Sequence, residues 1–372
     1  MTDTYEASVK RSLAIEQDLK INPQNYRVLT GERPTGRLHL GHLFGSLQAR
    51  VRFQQQGVPT AIVIADYQVI TDRDTLDDVQ NNVYGIVADN LAAGLDPEKT
   101  MLFCHSQVPE LNQLLLPFLA LVSEAELRRN PTVKAETEAA GRTLSGLMLT
   151  YPVHQAADIL FCKGNLVPVG KDQLPHLEIA RVVARRFNER FGGVDYGQSA
   201  DGRPRNFAQA VFPEPDALLS KAAHVPGLDG RKMSKSFGNA VYLGMTADET
   251  AALIKKSPTD AERQIAFDPE NRPGVSALLT TTALCRGLEA NGESEAQIAA
   301  EINADPKFGA GLLKKKATEA INEFLAPHRA RRAEIERDAD AIKAILRRGN
   351  ARAREVAAQT LGEVQRAMGT VY

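Results

Sequence analysis

The sequence predicts an α/β protein, with a doubly wound parallel sheet followed by a mostly helical C-terminal domain. Short apolar runs alternate with helical patterns in the first part of the chain, and a strand–helix–strand–helix–strand order is typical of parallel sheets. From about residue 246 onward the periodicity is helical to the end. A length of 372 residues accommodates one large domain and one smaller one.

The predicted sheet begins after an N-terminal extension, residues 1–25, which is charged and amphipathic. Residues 26–31 predict a short first strand that ends in glycine, and residues 41–56 predict a helix with recurring apolar positions. Residues 59–67 are a continuous apolar run, typical of a strand buried on both faces. Because such sheets bind ligands at the carboxyl ends of their strands, the segment after the first strand is a predicted ligand site.

A second helix over 75–93 and a third strand over 100–105 complete the series. Helical patterns dominate about 109–190, which we interpret as a helical insertion. The Gly- and Pro-rich stretch 192–206 predicts an exposed hairpin or loop.

We place the boundary between the two predicted domains at residue 240, giving a sheet domain over 26–240 and a helical domain over 241–372. The segment 311–372 carries 13 Lys or Arg and 8 Asp or Glu, whereas the whole chain has a formal net charge of −1. A basic helical segment on a mildly acidic body is compatible with a nucleic-acid partner. Solvated helices often carry the same bias, so the charge alone decides nothing.

The composition is that of a soluble globular protein, with 43% hydrophobic and 24% charged residues. The sequence contains no apolar run of about 18 residues and no signal-peptide core at its start, so neither a membrane span nor export is expected. Cys104, Cys162 and Cys285 lack metal-ligand spacing, and we expect reduced, buried thiols in a cytoplasmic protein.

The stretch GRLHLGHLFGSL, residues 36–47, brings His39 and His42 to the start of a predicted helix. These histidines could be ordinary surface or core side chains, or metal ligands, although no third ligand is near in sequence. They could also bind phosphate, because a helix N-terminus offers free N–H groups and a positive dipole end. Gly41 would let a large ligand approach the backbone closely.

A second motif, KMSKS at residues 232–236, lies far downstream between Gly230 and Gly238. It could be an ordinary polar loop, but two lysines and two serines in a glycine-bounded loop also suit a polyphosphate clamp. HxGH after the first strand, followed by KMSKS, resembles the class I aminoacyl-tRNA synthetases, whose catalytic domain is Rossmann-like. The resemblance implies that an amino-acid carboxylate attacks the α-phosphorus of ATP, giving an aminoacyl-adenylate and pyrophosphate.

The resemblance also implies roles for individual residues. His39 and His42 would stabilise the charge that develops at phosphorus, while Lys232 and Lys235 would hold the β- and γ-phosphates. Mg²⁺ would accompany ATP, held mainly by the ATP phosphates. The further ATP-binding residues that the resemblance implies are Thr35, Gly41, Gly170, Asp172, Met233, Ser234 and Ser236.

The amino-acid specificity depends on a predicted helix on which Tyr151, Gln155 and Asp158 share one face. This face could simply be solvated, but the apolar neighbours of Asp158 favour a buried carboxylate, which needs a partner. An indole N–H can only donate, so tryptophan suits this acid well, and the hydroxyl of tyrosine can donate too. The residues alone leave both amino acids open.

The spacing Tyr-x3-Gln-x2-Asp resembles the tyrosyl enzymes of the family, whereas the following VPVGKDQLPHLEIAR resembles the tryptophanyl enzymes, as does TGERPTGRLHLGH. The second likeness covers roughly residues 26–370 and implies that Asp158 accepts the indole N–H. The chain departs from most bacterial tryptophanyl enzymes at HLGH, Arg33, Glu136, Gln155 and Lys171. The implied amino-acid-binding residues are Gly31, Tyr151, Gln155, Asp158, Val167, Val169 and Gln173.

The likeness implies L-tryptophan and tRNA(Trp) as partners, tRNA binding by the C-terminal domain, and a homodimer. Residues 111–122, LNQLLLPFLALV, are a candidate dimer interface or equally a core helix. Three alternatives stay open: a tyrosine–tRNA ligase, an enzyme that adenylylates small molecules, and a synthetase paralogue with a regulatory role and an unidentified protein partner.

Overall fold

The structure is a computed structural model that describes residues 5–71, 78–140, 143–196, 210–219, 225–234 and 237–372, except for the side chains at 136, 139 and 140. In these residues five strands form one sheet in the order β3-β2-β1-β4-β5, and every neighbouring pair is parallel. The predicted fold class is therefore confirmed. The strands are β1 (Val28–Glu32), β2 (Thr60–Ile64), β3 (Met101–Cys104), β4 (Leu166–Val169) and β5 (Asp216–Leu219).

Helices precede, connect and follow these strands. A short π-helical turn, Leu43–Leu47, joins α2 to α3. The helices up to β5 are α1 (Tyr5–Asp18), α2 (Leu40–His42), α3 (Gln48–Gln55), α4 (Val79–Ala92), α5 (Pro109–Gln113), α6 (Leu115–Leu119), α7 (Glu124–Arg129), α8 (Pro131–Ala140), α9 (Gly146–Leu160) and α10 (Leu174–Arg190). Those after β5 are α11 (Ala247–Lys256), α12 (Pro273–Cys285), α13 (Glu293–Asn303), α14 (Ala310–Glu336) and α15 (Ala339–Met368).

Both faces of the sheet are covered, as the apolar run of β2 predicts. Ile62 and Ile64 belong to a core cluster that includes buried residues of α4, α12 and α14. Ala61 and Val63, which point to the opposite face, belong to a second cluster with residues of α5, α9 and α10. This two-sided burial is the physical reason that β2 is apolar at every position.

The structure contains two strands, β4 and β5, that the sequence did not predict. β4 interrupts the predicted helical insertion, so that prediction is wrong at 166–169, and β5 was not predicted. Both have four residues, and apolar runs this short do not distinguish a strand from a buried helix. Of the predicted helix over 75–93, the structure describes α4, whereas residues 75–77 lie outside the described residues. Residues 197–206 of the predicted loop 192–206 also lie outside them.

The N-terminal extension covers the edge of the sheet. The Oγ of Ser12, in α1, donates to the carbonyl of Ala217 at 3.1 Å and accepts the backbone N–H of Leu219 at 2.9 Å. Arg11 pairs with Asp216 at 2.9 Å. The side chain of Ser12 thus satisfies backbone groups that an open edge strand would leave unpaired.

The C-terminal half packs back onto the sheet. One core cluster joins residues on both sides of position 240, and a Cβ at Gly349 of α15 would lie 1.8 Å from the carbonyl oxygen of Leu102 in β3. The side chain of Asn350 accepts the backbone N–H of Cys104 at 3.0 Å. The division at residue 240 stays a prediction, since the apolar core runs across it.

The three cysteines are buried free thiols, as expected, and burial raises the pKa of each to about 12. Among the described residues, no helix combines the length and the apolar character that crossing a membrane requires.

Candidate active site

The carboxyl ends of β1 and β4 form the switch point of the sheet. β1 pairs with β2 at five positions but with β4 at one, Val28 with Leu166. Doubly wound sheets bind ligands where neighbouring strands connect in opposite directions. Gly31 lies at this end of β1, and a Cβ there would stand 2.5 Å from the Cγ1 of Val63, so the close strand packing requires glycine.

His39 and His42 stand just beyond β1, where α2 begins. The backbone N–H of His39 donates to Nδ1 of His42 at 3.2 Å, so the N–H that the ring of His42 can offer to a ligand is on Nε2. The two ring centroids are 3.9 Å apart. Burial, together with the nearby His42 and Lys232, lowers the pKa of His39 to about 3. His39 is therefore neutral at physiological pH.

The HxGH and KMSKS motifs meet at Gly41. A Cβ at Gly41 would lie 3.0 Å from Nδ1 of His39 and 3.9 Å from Sδ of Met233. The chain after KMSKS also pairs with HxGH, because Tyr242 forms an antiparallel bridge with His39. The structure thus brings together two motifs that are almost 200 residues apart in sequence.

The side chain of Asn239 supports the KMSKS segment. Its Oδ1 accepts the backbone N–H of Ser234 at 2.9 Å, and its Nδ2 donates to Asp229 at 2.7 Å and to the carbonyl of Lys232 at 3.1 Å. The side chain of Lys232 is exposed, and that of Met233 is buried. Two predicted site residues lie outside the described residues: Lys235 and Ser236.

Beneath the histidines lies an ion pair that the sequence did not reveal. Arg50, 1% exposed, donates to Glu32 at 2.8 Å and to Thr30 at 3.2 Å. Burial alone would raise the pKa of Glu32, but Arg50, His42 and the hydroxyl of Ser46 hold it below its ordinary value. The pair anchors the carboxyl end of β1 to α3.

Tyr151, Gln155 and Asp158 lie on α9, as predicted. Tyr151 is hydrogen-bonded to His176, whose tautomer follows from its contact with Asn130. The Oδ1 of Asn130 accepts the backbone N–H groups of Thr132 and Val133, so its Nδ2 faces Nδ1 of His176 at 3.3 Å as a donor. His176 is neutral, because burial lowers its pKa to about 4. Its Nε2–H therefore donates to the hydroxyl of Tyr151, 2.9 Å away. The next residues of this face are the half-buried Gln155 and the buried Asp158.

Asp158 contacts a residue that sequence reasoning missed. Its Oδ1 lies 2.7 Å from Nε2 of His105, and both side chains are buried. Burial alone would lower the pKa of His105, but Asp158 and Asp66 raise it above its ordinary value. His105 directly follows β3, so its position at a strand's carboxyl end was the signal that could have identified it.

The turn after β4 holds the remaining predicted residues. Val167 and Val169 are buried, Gln173 is half-buried, and Gly170 and Asp172 are exposed. The hydroxyl of Thr132 donates to the carbonyl of Asp172 at 3.0 Å, which ties the turn to α8. The ammonium group of Lys171 lies 4.7 Å above the ring of Tyr5 in α1, and Thr35, after β1, is half-buried.

A parallel sheet with HxGH and KMSKS in contact at its switch point defines a class of nucleotide-dependent ligases. The family model of class I tRNA synthetases (W and Y) matches residues 22–326. The chain belongs to this family of class I tRNA synthetases, and it is an aminoacyl-tRNA synthetase.

Curated relatives of this chain include tryptophan–tRNA ligases of several bacteria. The chain is 38% identical over 352 residues to the tryptophan–tRNA ligase of Clostridium longisporum, covering 93% of this chain and 97% of that protein. The tryptophan–tRNA ligase of Lactococcus lactis is also 38% identical, with 93% and 98% covered. The structure of tryptophanyl-tRNA synthetase from Campylobacter jejuni complexed with ADP and tryptophan has a TM-score of 0.76 at 28% identity, covering 92% of this chain and 99% of that one.

Proposed function

We propose that this chain is a tryptophan–tRNA ligase, which activates tryptophan with ATP and transfers it to tRNA(Trp). The observation that carries the proposal is the close approach of His39 and Met233 to Gly41, where a Cβ would lie 3.0 Å from Nδ1 of His39 and 3.9 Å from Sδ of Met233. The identity of 38% with tryptophan–tRNA ligases supports the choice of amino acid. The likeness to a structure that holds ADP and tryptophan supports both small substrates.

In the first step a carboxylate oxygen of tryptophan attacks the α-phosphorus of MgATP, and the bond to pyrophosphate breaks. Such a transfer needs positioning and charge stabilisation rather than a protein nucleophile. His39, a neutral N–H donor, and His42 stand at the start of α2 and hydrogen-bond the phosphoryl oxygens as charge develops. Lys232 and Lys235 hold the β- and γ-phosphates, which also carry the Mg²⁺.

The remaining ATP contacts come from the ends of β1 and β4 and from the KMSKS segment. Backbone N–H groups at these positions can approach phosphate and ribose closely, because glycine stands at two of them. The fixed backbone of Ser234, held by Asn239 at 2.9 Å, supports such a contact. We assign ATP binding to Thr35, Gly41, Gly170, Asp172, Met233, Ser234 and Ser236.

The amino-acid pocket lies between α9 and the end of β4. Asp158 is an acceptor-only partner for the indole N–H, and it lies among apolar neighbours on a buried helix face. The hydroxyl of Tyr151, oriented by His176, contacts the ammonium group together with Gln173. The other residues assigned to the pocket are Gly31, Gln155, Val167 and Val169.

We assign tRNA binding to exposed basic side chains of α14 and α15. Several basic residues of these helices are engaged within the chain: Arg332 pairs with the buried Asp89 at 2.9 Å, and Arg354 pairs with Glu110 at 2.8 Å. These arginines stabilise the packing of the C-terminal helices. Phosphate contacts fall instead to side chains such as Lys315, which is 71% exposed.

We also propose that the chain is a cytoplasmic homodimer. One face of the segment 111–122 belongs to the core, since Leu111, Leu114 and Phe118 are fully buried. Leu116, in contrast, is 77% exposed. This side chain of α6, with the half-buried Leu115 and its neighbours, supports an interface between two copies of the chain.

Exchange of labelled pyrophosphate into ATP tests the proposed function, with tryptophan and tyrosine supplied separately. We expect exchange with tryptophan and a value of kcat/KM for tyrosine lower by at least about a hundredfold. Preferential exchange with tyrosine would overturn the amino-acid assignment, and no exchange with either would overturn the activity. Charging of tRNA(Trp) then tests the second step.

A further inference from the structure

A cluster of buried polar side chains lies beside Asp158. The cluster consists of Asp158, His105 and His154, whose potential ligand atoms all lie within 4.8 Å of one another. Such a set has the chemistry of a metal site, but the hydrogen bonds of His154 point to another arrangement.

Both ring nitrogens of His154 are already engaged. The Nδ2 of Asn112 donates to the carbonyls of His105 and Val108 at 2.9 and 3.0 Å, so its Oδ1 is the acceptor that faces Nε2 of His154 at 2.8 Å. His154 therefore carries its proton on Nε2, and its Nδ1 accepts from the amide of Gln68 at 3.1 Å. Burial lowers the pKa of His154, so this ring is neutral and has no lone pair left for a metal.

Within the cluster, His105 is then the ring that pairs with Asp158. Its Nε2 lies 2.7 Å from Oδ1 of Asp158, while its ring lies against that of His154, tilted by 36° at a centroid distance of 4.5 Å. The charged or titratable groups that act on His105 are Asp158 and Asp66, both negative when ionised, and the neutral His154. A carboxylate buried this deeply needs a counter-ion, or it takes up a proton.

We propose that His105 is a specificity-determining residue: by pairing with Asp158 it keeps this carboxylate an acceptor-only partner for a ring N–H of the bound amino acid. The inference rests on the proposed function, because it deepens the assignment of Asp158. A protonated carboxylic acid could donate a hydrogen bond as well as accept one. It would discriminate less against an amino acid whose ring lacks an N–H group. His105 acts on the substrate through Asp158 and is a positioning residue.

The variant His105→Gln tests this inference, since glutamine retains an N–H donor but carries no positive charge. KM for tryptophan and kcat are measured by pyrophosphate exchange between pH 6 and 8.5. We expect KM of the variant to rise about tenfold towards pH 6, because loss of the positive charge beside a buried carboxylate favours its protonation, with kcat changed by less than about threefold. The wild-type KM stays level over this range. The matched control is His154→Gln, which removes the neighbouring neutral ring. In this variant KM for tryptophan should stay constant between pH 6 and 8.5.

A second readout addresses discrimination directly. In β-(3-benzothienyl)alanine, sulfur replaces the indole N–H at nearly the same shape. We expect the wild type to favour tryptophan over this analogue by about 10- to 100-fold at every pH, because an acceptor-only carboxylate gains no hydrogen bond from sulfur. In His105→Gln the preference should fall about tenfold at pH 6 and recover at pH 8.5.

Wild-type protein alone also tests the inference, in case the variant does not fold. The chain contains no tryptophan, so the fluorescence of the bound amino acid reports its binding directly, and the analogue competes with it. A wild-type preference that falls towards pH 6 would overturn the role of His105, as would a His105→Gln variant with the wild-type profile. Failure of the wild type to use tryptophan would instead overturn the proposed function.

Discussion

His39 is a neutral side chain among charged ones. Because burial lowers its pKa to about 3, it contributes an N–H donor, not a positive charge, to the proposed transition state. We expect His39→Ala to lower kcat for pyrophosphate exchange about 10²- to 10³-fold, the usual cost of removing one such donor. His39→Asn keeps a donor and should lose less than about tenfold. Equal losses in the two variants would refute the donor role.

His176 makes the stability of the protein depend on pH. Its pKa is lowered to about 4 by burial, whereas in the unfolded chain it has its ordinary value of about 6.5. Between these values the unfolded state binds more protons, so the stabilisation present above pH 6.5 is lost as the pH falls towards 4. The slope for this one group reaches ~1.4 kcal/mol per pH unit.

Urea unfolding at pH 7.5, 6.5 and 5.5 measures this slope. The wild type should lose stability more steeply than His176→Gln, in which the ring is absent. The proposed hydrogen bond from His176 to the hydroxyl of Tyr151 is lost in the same variant, so its KM for the amino acid should also rise. Parallel stability curves for the two proteins would show that His176 is not the titrating group.

Whether a residue of the site could be predicted from the sequence depended on whether it belongs to a recognisable motif. His39, Gly41 and Met233 were predictable because two motifs pointed to them, and the structure brings His39 and Met233 close to Gly41. Arg50 was not, since its role depends on a tertiary contact with Glu32. The position of His105 after β3 marked it as a candidate, but its partner Asp158 follows only from the fold. A buried arginine in particular is invisible in a pattern that assigns charged residues to the surface.

At the scale of elements, strand length decided what could be predicted. β2 has five buried residues in succession and stands out from its flanks, as β3 does. β4 contains Pro168 and lies between the long helices α9 and α10. Its few apolar residues therefore do not stand out from the helical pattern on either side. Its place next to β1 is a matter of tertiary pairing, which local patterns do not carry.

The helix α15 offers a sharp test of packing against the sheet. A Cβ at Gly349 would lie 1.8 Å from the backbone oxygen of Leu102, and backbone in β3 cannot move away without disturbing the sheet. We expect Gly349→Ala to reduce the free energy of unfolding by more than about 2 kcal/mol. Gly362, in the same helix, is the matched control: among the described residues, its Cβ would meet only the flexible end of Arg366, at 3.4 Å.

At Gly362 the same substitution should be neutral or stabilising by up to ~1 kcal/mol, because alanine is the better helix former. Denaturant unfolding of both variants provides the comparison. If Gly349→Ala proved as stable as Gly362→Ala, the close approach of α15 to β3 would be wrong.

The predicted sheet domain and the predicted helical domain share one apolar core. One core cluster contains residues of α2, β2 and α4 together with residues of α12, α14 and α15. Charge patterning pointed to the C-terminal helices as a nucleic-acid surface, yet many of their arginines are engaged inside the chain. Which basic side chains remain available depends on tertiary contacts, such as that of Arg332 with Asp89, that no local pattern contains.

The exposed lysines of α14 test the assignment of tRNA binding. Lys315 and Lys316 are 71% and 37% exposed, and their nearest acidic partner, Glu319, is 3.9 and 3.8 Å away. We expect the double variant K315A/K316A to raise KM for tRNA about three- to tenfold and to flatten its dependence on salt, because two phosphate contacts are lost. Pyrophosphate exchange, which needs no tRNA, should keep its wild-type rate. The control K10A/K20A removes two exposed lysines of the N-terminal segment and should leave KM for tRNA unchanged. A rise in KM of the same size in both double variants would mean that net charge, and not a surface on α14, governs tRNA binding.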